Sequence, residues 1–169
     1  MARDSIQSVL LELLGDGRFH SGQDLAAALG LSRAAVWKQI RRLEADFDLS
    51  LDAVRGRGYR LRQPLELLDS ARIDTAIEPE VRAAIDSLHV LRTVDSTNRC
   101  ALEEPPSSPG RGRVWLAEHQ TAGRGRRGRH WVSSYGGNLY MSLGWSFDLP
   151  MSRIGGLSLV AGAVVAEVL

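Results

Sequence analysis

Cysteine and lysine are nearly absent from this sequence. Cys100 is the single cysteine in 169 residues, which excludes an intramolecular disulfide and any cysteine-spaced zinc site. It reads as a small apolar side chain, and no metal site is expected. Lys38 is the single lysine, so almost all positive charge is arginine. No apolar run approaches the roughly 20 residues that a membrane span requires. The N-terminus lacks an apolar core followed by a small-residue cleavage site. A cytoplasmic protein with no membrane partner is therefore expected. With 44% hydrophobic and 24% charged residues, the composition is that of a globular protein. The length suits one domain, or a small domain and part of another.

The net charge of +1 hides an uneven distribution. Residues 1–62 carry 10 Lys and Arg against 8 Asp and Glu, residues 63–110 carry 4 against 9, and residues 111–169 carry 7 against 3. Two basic stretches flank an acidic one. Two sites for anionic partners fit this pattern, and so does an accident of surface composition.

The first 62 residues read as three helices and a hairpin. Ile6, Val9, Leu10, Leu13 and Leu14 recur at helical spacing, and Gly15-Asp-Gly17 stops that helix. Ser21 is a good N-cap with Asp24 three residues on, and Leu25, Ala28 and Leu29 form the second helix's apolar face. After Gly30, Ser32 caps a third helix from Arg33 to about Ala45, with Val36, Ile40 and Leu43 as its buried stripe. Two short helices joined by a tight glycine turn form a helix-turn-helix pattern. The third helix is then the recognition helix. Ser32, Arg33, Trp37, Lys38, Arg41 and Arg42 are its candidate DNA contacts, with Gln39 beside them. Leu49–Leu61 reads as two short strands around Arg55-Gly-Arg57-Gly58, a wing whose Arg55 and Arg57 would touch the DNA backbone or minor groove. The alternative is a protein-interaction module with a charged surface, in which Trp37 is a packing residue.

A boundary falls near residues 63–66. Beyond it, Ser70–Ile77 looks helical, and Leu88–Val94, Arg113–Ala117 and Asn138–Trp145 look like strands. Between the last two lies Gly123-Arg-Gly-Arg-Arg-Gly-Arg129, with four arginines in six residues. Glycine at this density costs about 1 kcal/mol per residue in a helix or strand, so the segment is a loop. It brings guanidinium and backbone N–H groups close together, as phosphate binding requires. From chemistry alone three readings stand: a phosphate-closing loop of a nucleotide enzyme, an RGG-like nucleic-acid segment, or a basic linker. It is neither a Walker loop nor a dinucleotide fingerprint.

This loop, preceded by Ala117-Glu-His-Gln-Thr-Ala122 and followed by Trp131, closely resembles the signature loop of biotin protein ligases. Asp95-Ser-Thr-Asn98 resembles that family's second signature. Asn138-Leu-Tyr-Met-Ser142 and Gly156-Leu-Ser-Leu-Val-Ala-Gly162 fit as well. His20-Ser-Gly22, Leu31-Ser-Arg-Ala-Ala-Val36 and Gly56-Arg-Gly-Tyr59 resemble the winged helix of the family's bifunctional, repressor class. The resemblance spans essentially the whole chain.

The resemblance implies an α+β chain. A winged helix-turn-helix at 1–63 would precede, at 64–169, an incomplete α/β ligase catalytic domain with a mixed sheet and helices. It implies formation of biotinyl-5′-adenylate from biotin and ATP with Mg²⁺, then transfer of biotin to a lysine of a biotin carboxyl carrier protein. It also implies dimerisation of the adenylate-loaded form on biotin operator DNA. Ser96, Thr97, Asn98, Gln120, Arg124, Gly125 and Arg126 would bind biotin, Arg124 and Arg126 would act in catalysis, and Trp131 would pack on the adenylate. Ser96-Thr-Asn98 also fits a plain helix cap, and His119 and His130 read as ordinary surface groups. The family's catalytic domain continues beyond this length and carries a further lysine, so these 169 residues alone are expected to be impaired as a ligase. The competing functions are a non-catalytic regulator that senses biotin or its adenylate, and a ligase whose winged helix binds protein.

Overall fold

The computed structural model describes residues 2–125, 127, 129 and 131–168. The first part of the chain runs α1 (Ala2–Leu14), α2 (Gly22–Leu29), α3 (Arg33–Phe47), β1 (Leu51–Val54) and β2 (Gly58–Leu61). Local chemistry sets the helix starts. Ser21 Oγ accepts the Asp24 N–H at 3.1 Å and donates to the Asp24 carboxylate at 2.8 Å. Ser32 Oγ accepts the Ala35 N–H at 3.2 Å. Gly30 ends α2 with φ 63°. α3 continues past Ala45 to Phe47, where Asp48 turns left-handed at φ 54°.

The apolar stripes meet in one core of Leu10, Leu14, Leu25, Val36, Ile40, Leu43 and Leu61. Two stripe residues differ from the sequence reading. Val9 is exposed while Leu11 is 1% exposed, and Ala28 is exposed while Ala26 packs on the core. α1 buries a wide apolar face, because Leu11 belongs to the same core as Leu10 and Leu14, on the side where Phe47 and Tyr135 also join it. A narrow i, i+3, i+4 stripe misses the edge of so wide a face.

β1 and β2 pair antiparallel from Leu51↔Leu61 to Val54↔Gly58, forming the wing. His20 and Tyr59 exchange backbone hydrogen bonds of 2.8 and 2.9 Å, tying the wing to the turn before α2. Gly58 makes this possible. Its φ is +104°, and any Cβ would strike the His20 carbonyl.

The second part runs α4 (Ser70–Ala76), α5 (Pro79–Ala83), β3 (Ile85–Leu91), α6 (Thr97–Glu103), β4 (Gly112–Ala117), β5 (Tyr140–Trp145), a short 3-10 turn (Met151–Arg153) and α7 (Leu157–Val168). The sheet order is β3-β4-β5, with β3 parallel and β5 antiparallel to β4. The fold is α+β with a mixed sheet, as expected. β3-α6-β4 is a parallel crossover, and α6 lies over the sheet face that carries Trp115 and Ser142. Met141 and Leu143, on the opposite face, are exposed. α7 is apolar along its length, and an apolar run of this kind reads as a buried helix, yet it is exposed. Leu159, Val160 and Val164 are exposed because no described element packs on them.

The two parts share a packed seam. Phe47, at the end of α3, meets the ring of His119 edge-on at 5.0 Å and that of Tyr135 at 4.9 Å. Tyr135 thereby joins the winged-helix core. Beside it, the Arg92 guanidinium reaches Glu12 of α1 at 3.1 Å and Glu118 at 3.4 Å. The Glu118 carboxylate, 1% exposed as a residue, accepts the Leu68 N–H at 2.5 Å. Connector, first helix and sheet are thus joined at one point.

Candidate functional site

Past the end of β3, the parallel pairing with the strand beside it continues as backbone hydrogen bonds. Val94 N–H donates to His119, Thr121 N–H to Val94, and Ala122 N–H to Asp95, at 3.1, 2.9 and 2.9 Å. This closes the distance in sequence between Asp95-Ser-Thr-Asn98 and the segment that leads into the glycine-arginine loop. Thr97, 3% exposed, then donates its N–H to Gln120 Oε1 at 2.9 Å and its hydroxyl to the same oxygen at 3.2 Å. Gln120 N–H donates to Ser133 Oγ at 2.8 Å. Ser142 Oγ donates to Thr97 Oγ1 at 2.9 Å.

Ser96 stands at the N-cap of α6, yet its side chain makes no capping bond. Asp95 accepts the Ser96 N–H at 2.6 Å and pairs with Arg99 at 2.5 Å. Asn98 is exposed on the first turn of α6. Arg124 is exposed in the loop and Gly125 is half-buried. A Cβ on Gly125 would come within 2.6 Å of the Arg129 carbonyl. Arg126 and His130 lie outside the described residues. Trp131 crosses over Gly123, so closely that a Cβ there would collide with the indole, and tilts toward Tyr140 at 6.4 Å.

Asp95, Gln120 and Trp131 line a cleft of about 870 Å³ whose other wall is the winged helix, through Leu11 and Phe47. Ser96, Thr97, Asn98, Arg124 and Gly125 do not line it. The structure thus joins Thr97 to Gln120 directly and places Trp131 with Gln120 on the cleft.

His119 is corrected from surface group to seam residue, 9% exposed. Burial holds its pKa below the ordinary histidine value, against the opposing pull of Asp46. Burial raises Glu118, opposed by the Leu68 N–H and by Arg92. Burial also pushes the Tyr135 phenol up to about 12. Cys100 is raised by burial and by Asp95 and Glu103, so it stays a thiol. Because burial lowers the His119 pKa, the unfolded chain binds this proton first as pH falls below about 6.5. Stability should therefore drop on acidification from that point. Glu118 works in the opposite sense at lower pH, because its raised pKa favours the folded state once it is protonated. The expected result is that the denaturation midpoint of wild type falls between pH 7.5 and 5.5, and that His119→Asn flattens the fall. Parallel pH profiles would count against it.

Arg33, Lys38, Arg41 and Arg42 are exposed on α3. Trp37 is 52% exposed and is therefore not a packing residue of the core. Arg41 pairs with Glu44 at 2.9 Å, and the Ser32 hydroxyl is engaged as the helix cap. Arg55 and Arg57 are exposed on the wing tip. The Arg57 guanidinium lies 4.2 Å from the centroid of the Phe19 ring, and Arg60 lies 4.7 Å from it. Arg33, Arg55 and Arg57 line one groove of about 330 Å³ between α3 and the wing.

Sequence reasoning missed Ser133, Tyr135 and Ser142. Only Ser142 had a signal, a hydroxyl placed between Met141 and Leu143 on a strand whose faces alternate.

Residues 6–60 match a helix-turn-helix domain, and residues 90–169 match the biotin/lipoate A/B protein ligase family. The chain is 41% identical over 169 residues to the bifunctional ligase/repressor BirA of Salmonella typhimurium, covering 100% of this chain and 50% of that protein. It is 34% identical over 167 residues to the protein of the same name from Bacillus spizizenii, covering 98% of this chain and 50% of that one. It is also 40% identical over 82 residues to a biotin–[acetyl-CoA-carboxylase] ligase of Mycobacterium tuberculosis, covering 47% of this chain and 31% of that protein. The chain spans about half the length of the bifunctional relatives it matches.

Proposed function

We propose, for a chain whose residues 90–169 match the biotin/lipoate A/B protein ligase family and whose residues 6–60 match a helix-turn-helix domain, that it serves a cytoplasmic biotin ligase and biotin-dependent repressor. The domains divide at 63/64. The observation that carries this reading is the pairing of the two ligase signatures: Thr97 bonds Gln120 through both its N–H and its hydroxyl.

In the proposed reaction the biotin carboxylate attacks the α-phosphorus of ATP. A new C–O–P bond forms, and pyrophosphate leaves with the electrons of the broken P–O bond. Transfer follows when a lysine amine of a biotin carboxyl carrier protein attacks the acyl carbon and AMP leaves. The carboxylate is itself the nucleophile, so the protein's work is to orient it, to offset phosphate charge and to exclude water. Ser96, Thr97, Asn98 and Gln120 hold biotin. Arg124, Gly125 and Arg126 belong to the loop over biotin and adenylate, with Arg124 and Arg126 acting in catalysis, and Trp131 packs on the adenylate. Among the described residues no three of His, Cys, Asp and Glu cluster as metal ligands. Mg²⁺ would arrive on the nucleotide, where it would offset phosphate charge.

The winged helix binds biotin operator DNA through Arg33, Trp37, Lys38, Arg41 and Arg42, with Arg55 and Arg57 on the wing and Ser32 at the helix start. The adenylate-loaded protein acts as a homodimer.

Titration of biotin and of a non-hydrolysable biotinyl-adenylate analogue tests the ligand site, and biotin-dependent exchange of pyrophosphate into ATP by the full-length protein tests the chemistry. Analogue binding without exchange would leave a sensor rather than a ligase. For the DNA face, Arg33→Ala with Arg42→Ala should weaken operator binding and lower the slope of affinity against salt by about 1 per lost phosphate contact. Unchanged operator binding would point to a protein-binding winged helix.

A further inference from the structure

We propose that Ser142 on β5 is a positioning residue for ligand recognition: through Thr97 it fixes which end of the Gln120 amide faces the ligand. This rests on the reading of Gln120 as a biotin ligand.

The amide's two ends differ chemically, and the structure dictates their placement. Thr97 N–H can only donate. The end of Gln120 that it meets at 2.9 Å must therefore be the carbonyl oxygen, because an NH₂ group there would set donor against donor. The Thr97 hydroxyl donates to the same oxygen at 3.2 Å, so both lone pairs of Oε1 are engaged. The Nε2 amino group keeps its two protons for whatever lies beyond. Gln120 is thus set to meet a hydrogen-bond acceptor, such as a ureido carbonyl, and not an N–H donor.

A threonine hydroxyl rotates freely unless something holds it. Ser142 does so by donating to Thr97 Oγ1 at 2.9 Å, which leaves Thr97's own proton directed at Gln120. With Thr97 3% exposed, bulk water has little access to take over this role. The geometry follows from the fold. The β4–β5 register places Ser142 opposite Trp115, on the face that α6 covers. Met141 and Leu143 point the other way, so neither neighbour can substitute.

The test is a double-mutant cycle on biotin affinity in the full-length protein, using Ser142→Ala, Gln120→Ala and the pair. A single hydrogen bond of this kind predicts that S142A weakens biotin binding about 3- to 10-fold, with the KM for ATP unchanged. In the Q120A background, S142A should change biotin affinity by less than about 1.5-fold, because the residue acts through Gln120. A purely structural serine would cost the same in both backgrounds, and that result would overturn the proposal. So would S142A binding biotin like wild type while Q120A is impaired. If Q120A alone binds biotin normally, the ligand reading of Gln120 fails, and the relay with it. Should S142A not fold, Ser142→Cys, which keeps the shape and weakens the donor, carries the same cycle.

Discussion

Phe47→Ala is expected to cost about 3–5 kcal/mol of stability, the range for truncating a buried aromatic side chain. Phe47 is the last residue of α3, and its ring is shared by two parts of the chain. Edge-to-face pairs of this kind add about 0.5–1.5 kcal/mol beyond area burial, and here there are two, to His119 and Tyr135. Truncation would open the seam beside Leu11 and leave His119 and Tyr135 facing a void. Whole domains are stable by only about 5–15 kcal/mol, so unfolding in urea should change character as well as midpoint. Wild type is expected to unfold in one transition, and the variant in two, as the winged helix and the sheet part company. Phe47→Leu, which keeps most of the volume, should cost less than about 1.5 kcal/mol. A single transition with a loss below about 1 kcal/mol would mean that the seam does not hold the two parts together.

The second large effect is expected at Gly123. Its missing side chain is what lets the Trp131 indole lie across the loop, and a single methyl group would collide with the ring. Gly123→Ala should therefore move Trp131 off the cleft it shares with Gln120 and Asp95. Misplacing a positioning group by about 1 Å costs on the order of 100-fold in catalysis, and a comparable loss of affinity for the biotinyl-adenylate analogue is expected. Stability should shift by no more than about 0.5 kcal/mol, because the segment is a surface loop. Isothermal titration beside a melting curve separates the two effects. Unchanged analogue affinity would remove Trp131 from the ligand site.

These two predictions, with those for His119 and Ser142, divide along the line between local and non-local chemistry. The three helices, the wing and the glycine-arginine loop were legible in order. Their signals act over a few residues: Ser21 and Ser32 bond to N–H groups three residues on, Gly30 supplies a left-handed turn, and glycine density forbids regular structure at 123–128. The exposed arginines of α3 were legible for the same reason, since helical spacing alone turns them from Val36, Ile40 and Leu43.

By itself, then, the sequence determined the elements, their caps, and the residue types that ligand or DNA would meet. Only the tertiary structure decided which distant residues face one another. Leu11 and Phe47 carry no mark that distinguishes a seam from a core, and His119 reads as polar until the ring of Phe47 covers it. The link from Ser142 through Thr97 to Gln120 crosses three elements, and it exists because parallel pairing past β3 and antiparallel pairing at β5 set their registers together. Hydrogen bonds and ring contacts act over a few ångströms of space, and the sequence measures separation only along the chain.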